Sequence, residues 1–171
     1  MKTSDLTRIA MMTAVLCILA PISIPFGSSA ISLSTFALYL MAYILKPKQN
    51  IAAVGIYLLL GAAGLPVFAG YLGGISRFVS PNGGYLIGYL FPSYIGAWFI
   101  QKYPQRTMQM LGLCLGTLPL YLIGTFWLAH TTDITFSAAL WSGALLYLPF
   151  DIIKMLLAAY TGRKLNKHIK K

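Results

Sequence analysis

Long apolar runs alternate with short polar joints along this chain. Six runs stand out, at roughly 6–25, 31–46, 49–66, 83–101, 107–129 and 136–161. A helix needs about 20 residues to cross the hydrocarbon core of a bilayer. The pattern predicts an all-α membrane protein, a six-transmembrane-helix bundle forming one domain over 1–171. The second and third runs are short, which predicts tilt or partial burial in protein. The joints carry helix-stopping chemistry. Pro21-x-x-x-Pro25 and Gly27-Ser28-Ser29 close the first run. Lys46-Pro47-Lys48-Gln49-Asn50 separates the second from the third, and Lys102-Tyr103-Pro104-Gln105-Arg106 the fourth from the fifth. The first run lacks a clear small-x-small exit, so it is expected to be a retained helix rather than a cleaved signal.

The connection from Phe68 to Gly84 is different. It reads FAGYLGGISRFVSPNGG, rich in glycine and aromatic residues. It is too apolar to extend into water. We expect it to fold back as a long, partly buried outer loop between the third and fourth helices, and ordered loops of this length are usually functional. No internal repeat or low-complexity segment is apparent.

Composition supports the membrane reading. The 171 residues are 58% hydrophobic and only 9% charged, against about 25% charged in ordinary soluble domains. The net charge of +10 matters through its placement. With six crossings, Lys2, Arg8, Lys46, Lys48, Lys102, Arg106, Arg163, Lys164, Lys167, Lys170 and Lys171 fall on one side. Arg77 alone falls on the other, and Lys154 lies within a span. Cationic loops stay cytoplasmic, so both termini are expected inside a prokaryotic cell. The basic tail then faces anionic membrane lipid, with no nucleic acid partner implied.

Several chemistries are missing. The chain has no GxxxxGK[ST] phosphate loop and no HExxH. It has no Glu, and its three acids are Asp5, Asp133 and Asp151. His130 and His168 read as solvated surface residues. Cys17 and Cys114 stand singly, without metal-ligand spacing, and are expected to be small buried hydrophobes. Neither an enzyme nor a bound cofactor or metal is expected.

One acid is placed against the trend. Leu148-Pro149-Phe150-Asp151-Ile152-Ile153-Lys154 puts a carboxylate and an ammonium three residues apart in an apolar run. That spacing shares one helix face. A charge near the centre of a membrane helix costs about 2.5–3.5 kcal/mol on insertion scales, so such residues face protein or a watery cavity and commonly mark a site. A mutually neutralising clasp between helices is the other reading. Pro149 just ahead is expected to kink the helix and open backbone groups.

Two segments now converge on a resemblance. Leu65-Pro66-Val67-Phe68-Ala69-Gly70, followed by Gly73-Gly74 and Pro81-Asn82-Gly83-Gly84-Tyr85-Leu86-Ile87-Gly88-Tyr89, resembles the hallmark of the BioY family. Members are biotin-binding S components of energy-coupling-factor transporters. The Leu148–Lys154 stretch matches as well, and the resemblance spans nearly the whole chain. Two positions depart. Ser32-Leu33-Ser34-Thr35 stands where the family has Thr-Leu-Gln-Thr, and Phe150 stands where Gly often precedes the Asp. On the first departure the second-helix entry is not counted among the ligand residues.

The resemblance implies a bundle without its own ATPase. It would capture biotin under the outer loops and dock on a transmembrane coupling subunit that carries two cytoplasmic ATPase subunits. Docking in S components resembles a small-xxx-small contact on the first helix, and Ala10 and Ala14 supply one, with ordinary helix packing the other reading. Gly84…Gly88 and Gly112…Gly116 are expected to be contacts within the chain. Biotin's ureido ring offers two N–H donors and a carbonyl. Asp151 can accept from the donors, Asn82 can complement both, and Lys154 can reach the carbonyl or neutralise Asp151. Tyr85, Tyr89 and Phe68 can wall the apolar part or simply pack in the core. Arg77 can meet the carboxylate at the mouth or remain a solvated loop residue. The competing class is a stand-alone membrane transporter or channel for another small solute.

Overall fold

The computed structural model describes residues 3–26 and 29–169. Of the residues singled out in the sequence, Lys2, Gly27, Ser28, Lys170 and Lys171 lie outside the described residues. Helix α1 (Thr3–Leu19) leads into a two-stranded antiparallel ribbon, β1 (Ser23–Phe26) and β2 (Ser29–Ser32), paired from Ser23 opposite Ser32 to Phe26 opposite Ser29. The helical run expected to reach 25 therefore stops at Leu19. Pro21 has no N–H for a helical bond and disfavours helical geometry in the residue before it. The ribbon is a departure from a purely helical chain.

Helices α2 (Ser34–Ile44) and α3 (Pro47–Ala62) follow. Pro47 opens α3, where its missing N–H costs nothing, and the Gln49 side chain accepts from the Lys46 N–H at 3.0 Å. A short α4 (Ser76–Val79) lies in the long connection. The fourth run is one interrupted rod, made of α5 (Gly83–Gly88), a π-helical turn (Pro92–Gly96) and α6 (Ala97–Lys102). The widened turn contains Pro92, and the buried Asn50 amide of α3 donates to the Ser93 carbonyl at 2.8 Å. A backbone acceptor in an apolar interior is thereby satisfied.

Helix α7 (Arg106–Thr132) is continuous through Pro119 and ends at Asp133, which takes left-handed backbone angles (φ 52°). The sixth run is interrupted, as α8 (Phe136–Leu140), a π-helical turn (Trp141–Leu145) and α9 (Leu148–Ile169). The break lies upstream of Pro149. Pro149 itself sits in the first turn of α9, where a proline is tolerated. Two stretches, Arg106–Thr132 (27 residues) and Phe136–Asn166 (31 residues), are long and apolar enough to cross a membrane.

Large apolar side chains fill the core and also cover much of the surface. Leu111, Leu115, Leu118, Leu122 and Phe126 form an exposed stripe along α7, and Ile152, Ile153, Leu156 and Leu157 do the same on α9. Ser34, Asn50, Ser93, Thr117, Thr125 and Asp151 are buried. A helix bundle in water turns its apolar face inward, whereas one in lipid loses nothing by turning it outward. The expectation of two buried cysteines fails for that reason. Cys17 is half-buried and Cys114 is exposed on α7, where an apolar neighbour such as lipid suits a thiol as well as protein does.

The helices pair as α2 with α9, α5 with α7, and α1 with α3. Glycines set the closest approach. A Cβ on Gly84 would lie 2.4 Å from Trp127 Cβ, and one on Gly88 2.7 Å from Leu120. Gly112 meets Phe99 and Gly116 meets Pro92 with the same lack of room. Both glycine pairs are thus contacts inside the chain.

Candidate ligand-binding site

The long connection is packed by its own side chains. Phe68 and Leu72 bond to each other through both backbones, at 2.9 and 3.3 Å. Between them Gly70 and Tyr71 turn the chain at positive φ, 76° and 59°. Glycine takes that geometry without strain. The Gly70 N–H donates to Pro21 O at 3.0 Å, and the Gly74 N–H to Gly61 O at 2.7 Å, so the connection is fastened to the first loop and to α3. Phe68 is buried edge-on against Tyr57 and Phe78, with ring centroids 5.5 and 5.8 Å away. Trp127 of α7 donates to Ser80 O at 2.9 Å and ties down the far end.

Against this connection lies a cavity of about 510 Å³, within the 300–1,000 Å³ usual for small-molecule sites. The ribbon contributes Ser23, Ile31 and Ser32 to its wall. Phe68 and Leu72 line it from the loop, and Arg77, Ser80 and Asn82 from around α4. Tyr85, Leu86 and Tyr89 come from α5, and Leu120 and Tyr121 from α7. The remaining wall includes Gly143, Tyr147, Asp151 and Lys154. Asn82, Asp151, Lys154, Arg77, Tyr85, Tyr89 and Phe68 therefore all line one cavity. Ala10 and Ala14 lie apart from it, both exposed on α1 and one helical turn from each other.

Asp151 and Lys154 sit in a polar network. Asp151 is 2% exposed. Its Oδ1 accepts from Thr35 Oγ1 at 2.8 Å and from Lys154 Nζ at 3.1 Å. Its Oδ2 accepts from Tyr121 OH at 2.8 Å and Tyr39 OH at 3.2 Å. Lys154 also donates to Thr35 Oγ1 at 3.0 Å, and the Tyr39 hydroxyl pairs with Thr117 Oγ1 at 3.1 Å. An ion pair can be held in a low-dielectric interior when its remaining lone pairs and protons are bonded in this way. The pair joins α9 to α2 and α7 while also lining the cavity.

Tyr85 shows a second use of local chemistry. Its hydroxyl donates to Gly143 O at 2.9 Å in the π-helical turn. Its ring fits against Gly124, where a Cβ would come within 2.2 Å. One side chain therefore both walls the cavity and packs the core.

The family model of the BioY family matches residues 1–171. The chain belongs to the BioY family. It is 34% identical to the "Biotin transporter BioY2" of Lactococcus lactis subsp. cremoris (strain MG1363), over 94% of this chain and 89% of that protein. It is also 34% identical to the "Biotin transporter BioY" of Thermotoga maritima, over 95% of this chain and 96% of that one. A solved structure, the S-component for biotin from an ECF-type ABC transporter, superposes with a TM-score of 0.89 at 30% identity. The match covers 98% of this chain and 95% of the other.

Against the BioY pattern, the second-helix entry departs in sequence yet reaches the cavity, since Thr35 bonds both members of the ion pair. Tyr39, Tyr121 and Thr117 also belong to the network and do not stand out in the motifs. A signal was present. Thr35-x-x-x-Tyr39 and Thr117-x-x-x-Tyr121 each repeat the same polar pair at one-turn spacing inside an apolar run, which puts both polar groups on one helix face.

Proposed function

We propose that this chain captures biotin in the cavity beneath its outer loops and serves as the substrate-binding subunit of an ATP-driven uptake transporter of the energy-coupling-factor type. The supporting observation is the Asp151–Lys154 pair, held by α2 and α7, in the wall of a cavity of ligand size in a BioY chain. Biotin's ureido ring would lie against that pair, within reach of Lys154, Asp151 and Asn82. Tyr89, Tyr85 and Phe68 would flank the apolar rings and tail. Arg77 would meet the carboxylate as a charge-assisted partner.

The exposed apolar stripes and the cation distribution support six crossings with both termini cytoplasmic. Without a phosphate loop in its sequence, the chain would draw its energy from two ATPase subunits through a transmembrane coupling subunit, docked at Ala10 and Ala14 of α1. The purified chain should gain thermal stability with biotin. A ligand at 100 times its Kd stabilises by about 2.7 kcal/mol. Biotin that leaves the melting temperature unchanged at millimolar concentration would overturn the reading. Concentrative uptake by the chain alone, with no ATPase present, would point instead to a stand-alone transporter.

A further inference from the structure

Asp151 has no acceptor capacity to spare. A carboxylate offers about four lone-pair sites, and four donors occupy them: Thr35, Lys154, Tyr39 and Tyr121. The donors divide by oxygen. Those on Oδ1, Thr35 and Lys154, also bond to each other at 3.0 Å, so either can be displaced and keep a partner. Those on Oδ2 are phenols from two different helices. Both rings are confined. Tyr39 is fully buried, and Tyr121 packs edge-on against Tyr85 at 6.4 Å between centroids.

We infer that Tyr121 and Tyr39 are positioning residues for ligand recognition. They grip Oδ2 and leave the Oδ1 edge, with Thr35 and Lys154, as the side that exchanges partners with the ligand. This rests on the reading that the Asp151–Lys154 end receives the ligand's polar ring. An incoming N–H takes Oδ1 in place of the Thr35 hydroxyl, while the two phenols stop the carboxylate from rotating to follow. Removing one phenol loosens the grip. Removing both lets the carboxylate turn, so the ligand meets it in the wrong orientation.

The test uses full-length protein, biotin as ligand, and titration for Kd. Tyr121→Phe keeps the ring and deletes the donor. It should bind biotin about tenfold more weakly, a change of about 1.4 kcal/mol. In an Asp151→Asn background the same substitution should change Kd by less than about twofold, because independent effects multiply and dependent ones do not. A tenfold effect that persists in that background would mean that Tyr121 acts without Asp151, and overturns the proposal. The second arm needs no Asp151 variant. Tyr39→Phe with Tyr121→Phe should weaken binding by more than the product of the two single changes, since one remaining phenol still holds the oxygen. A product or less overturns the proposal even if Asp151→Asn binds too weakly to measure. Wild-type protein that does not bind biotin, or Asp151→Asn that binds it normally, would instead defeat the underlying placement of the ligand.

Discussion

Replacing Asp151 by Asn removes a charge at the point where three helices meet. The side chain is 2% exposed and accepts four hydrogen bonds. Bonds to charged groups contribute about 1.5–3 kcal/mol each, but they share one acceptor and do not add. The larger effect is the stranded Lys154, because breaking a buried pair from one side costs about 3–5 kcal/mol. The Lys154 side chain keeps 13% of its surface exposed, so partial solvation favours the lower end, about 3 kcal/mol. At 2–4 °C per kcal/mol for a chain of this size, the melting temperature should fall by roughly 6–12 °C. Adding Lys154→Met removes the unpaired ammonium and should recover at least half of the loss. Biotin affinity of the double variant should remain at least tenfold below wild type, about 1.4 kcal/mol. The assay is thermal unfolding in detergent with and without biotin, together with a direct titration. Two results would refute the reasoning. A single Asp151→Asn variant that melts like wild type would show that the network carries no stability. A well-folded double variant that binds biotin normally would show that the pair is a clasp alone.

Replacing Ala10 and Ala14 with Leu should weaken pull-down of the coupling subunit and leave biotin affinity unchanged, since both sit on the exposed face of α1, away from the cavity. Unchanged pull-down would move the docking face elsewhere. Gly88→Val should cost about 1–3 kcal/mol by overpacking, because a Cβ there already meets Leu120 at 2.7 Å; a melting temperature within 1 °C of wild type would contradict that contact. Single cysteines placed at Lys48 and Arg106, in a Cys17- and Cys114-free background, should resist a membrane-impermeant reagent in intact cells. Rapid labelling of either would reverse the topology.

The apolar runs and the helix joints were legible along the chain because they depend on local chemistry. Each helix satisfies its own backbone, so a bilayer needs only length and composition to select it. Pro47 and the Lys102–Arg106 joint mark boundaries at the residues where the helices begin and end. The ion pair was legible because a charge in an apolar run is costly wherever it lies. The ribbon of β1 and β2 and the two π-helical turns were not, since cross-strand pairing and widened turns answer to neighbours distant in sequence. Asn50 meeting Ser93 is one such neighbour. For Tyr39, Tyr121 and Thr35 the Thr-x-x-x-Tyr spacing marks a shared helix face but not the partner that the face meets. In sequence each is an ordinary polar residue in an apolar run. Only the packing of α2, α7 and α9 brings their hydroxyls, 112, 30 and 116 positions from Asp151 respectively, onto one carboxylate. A hydrogen bond is decided by a fraction of an ångström between side chains, and that distance is a property of the assembled bundle rather than of any one segment.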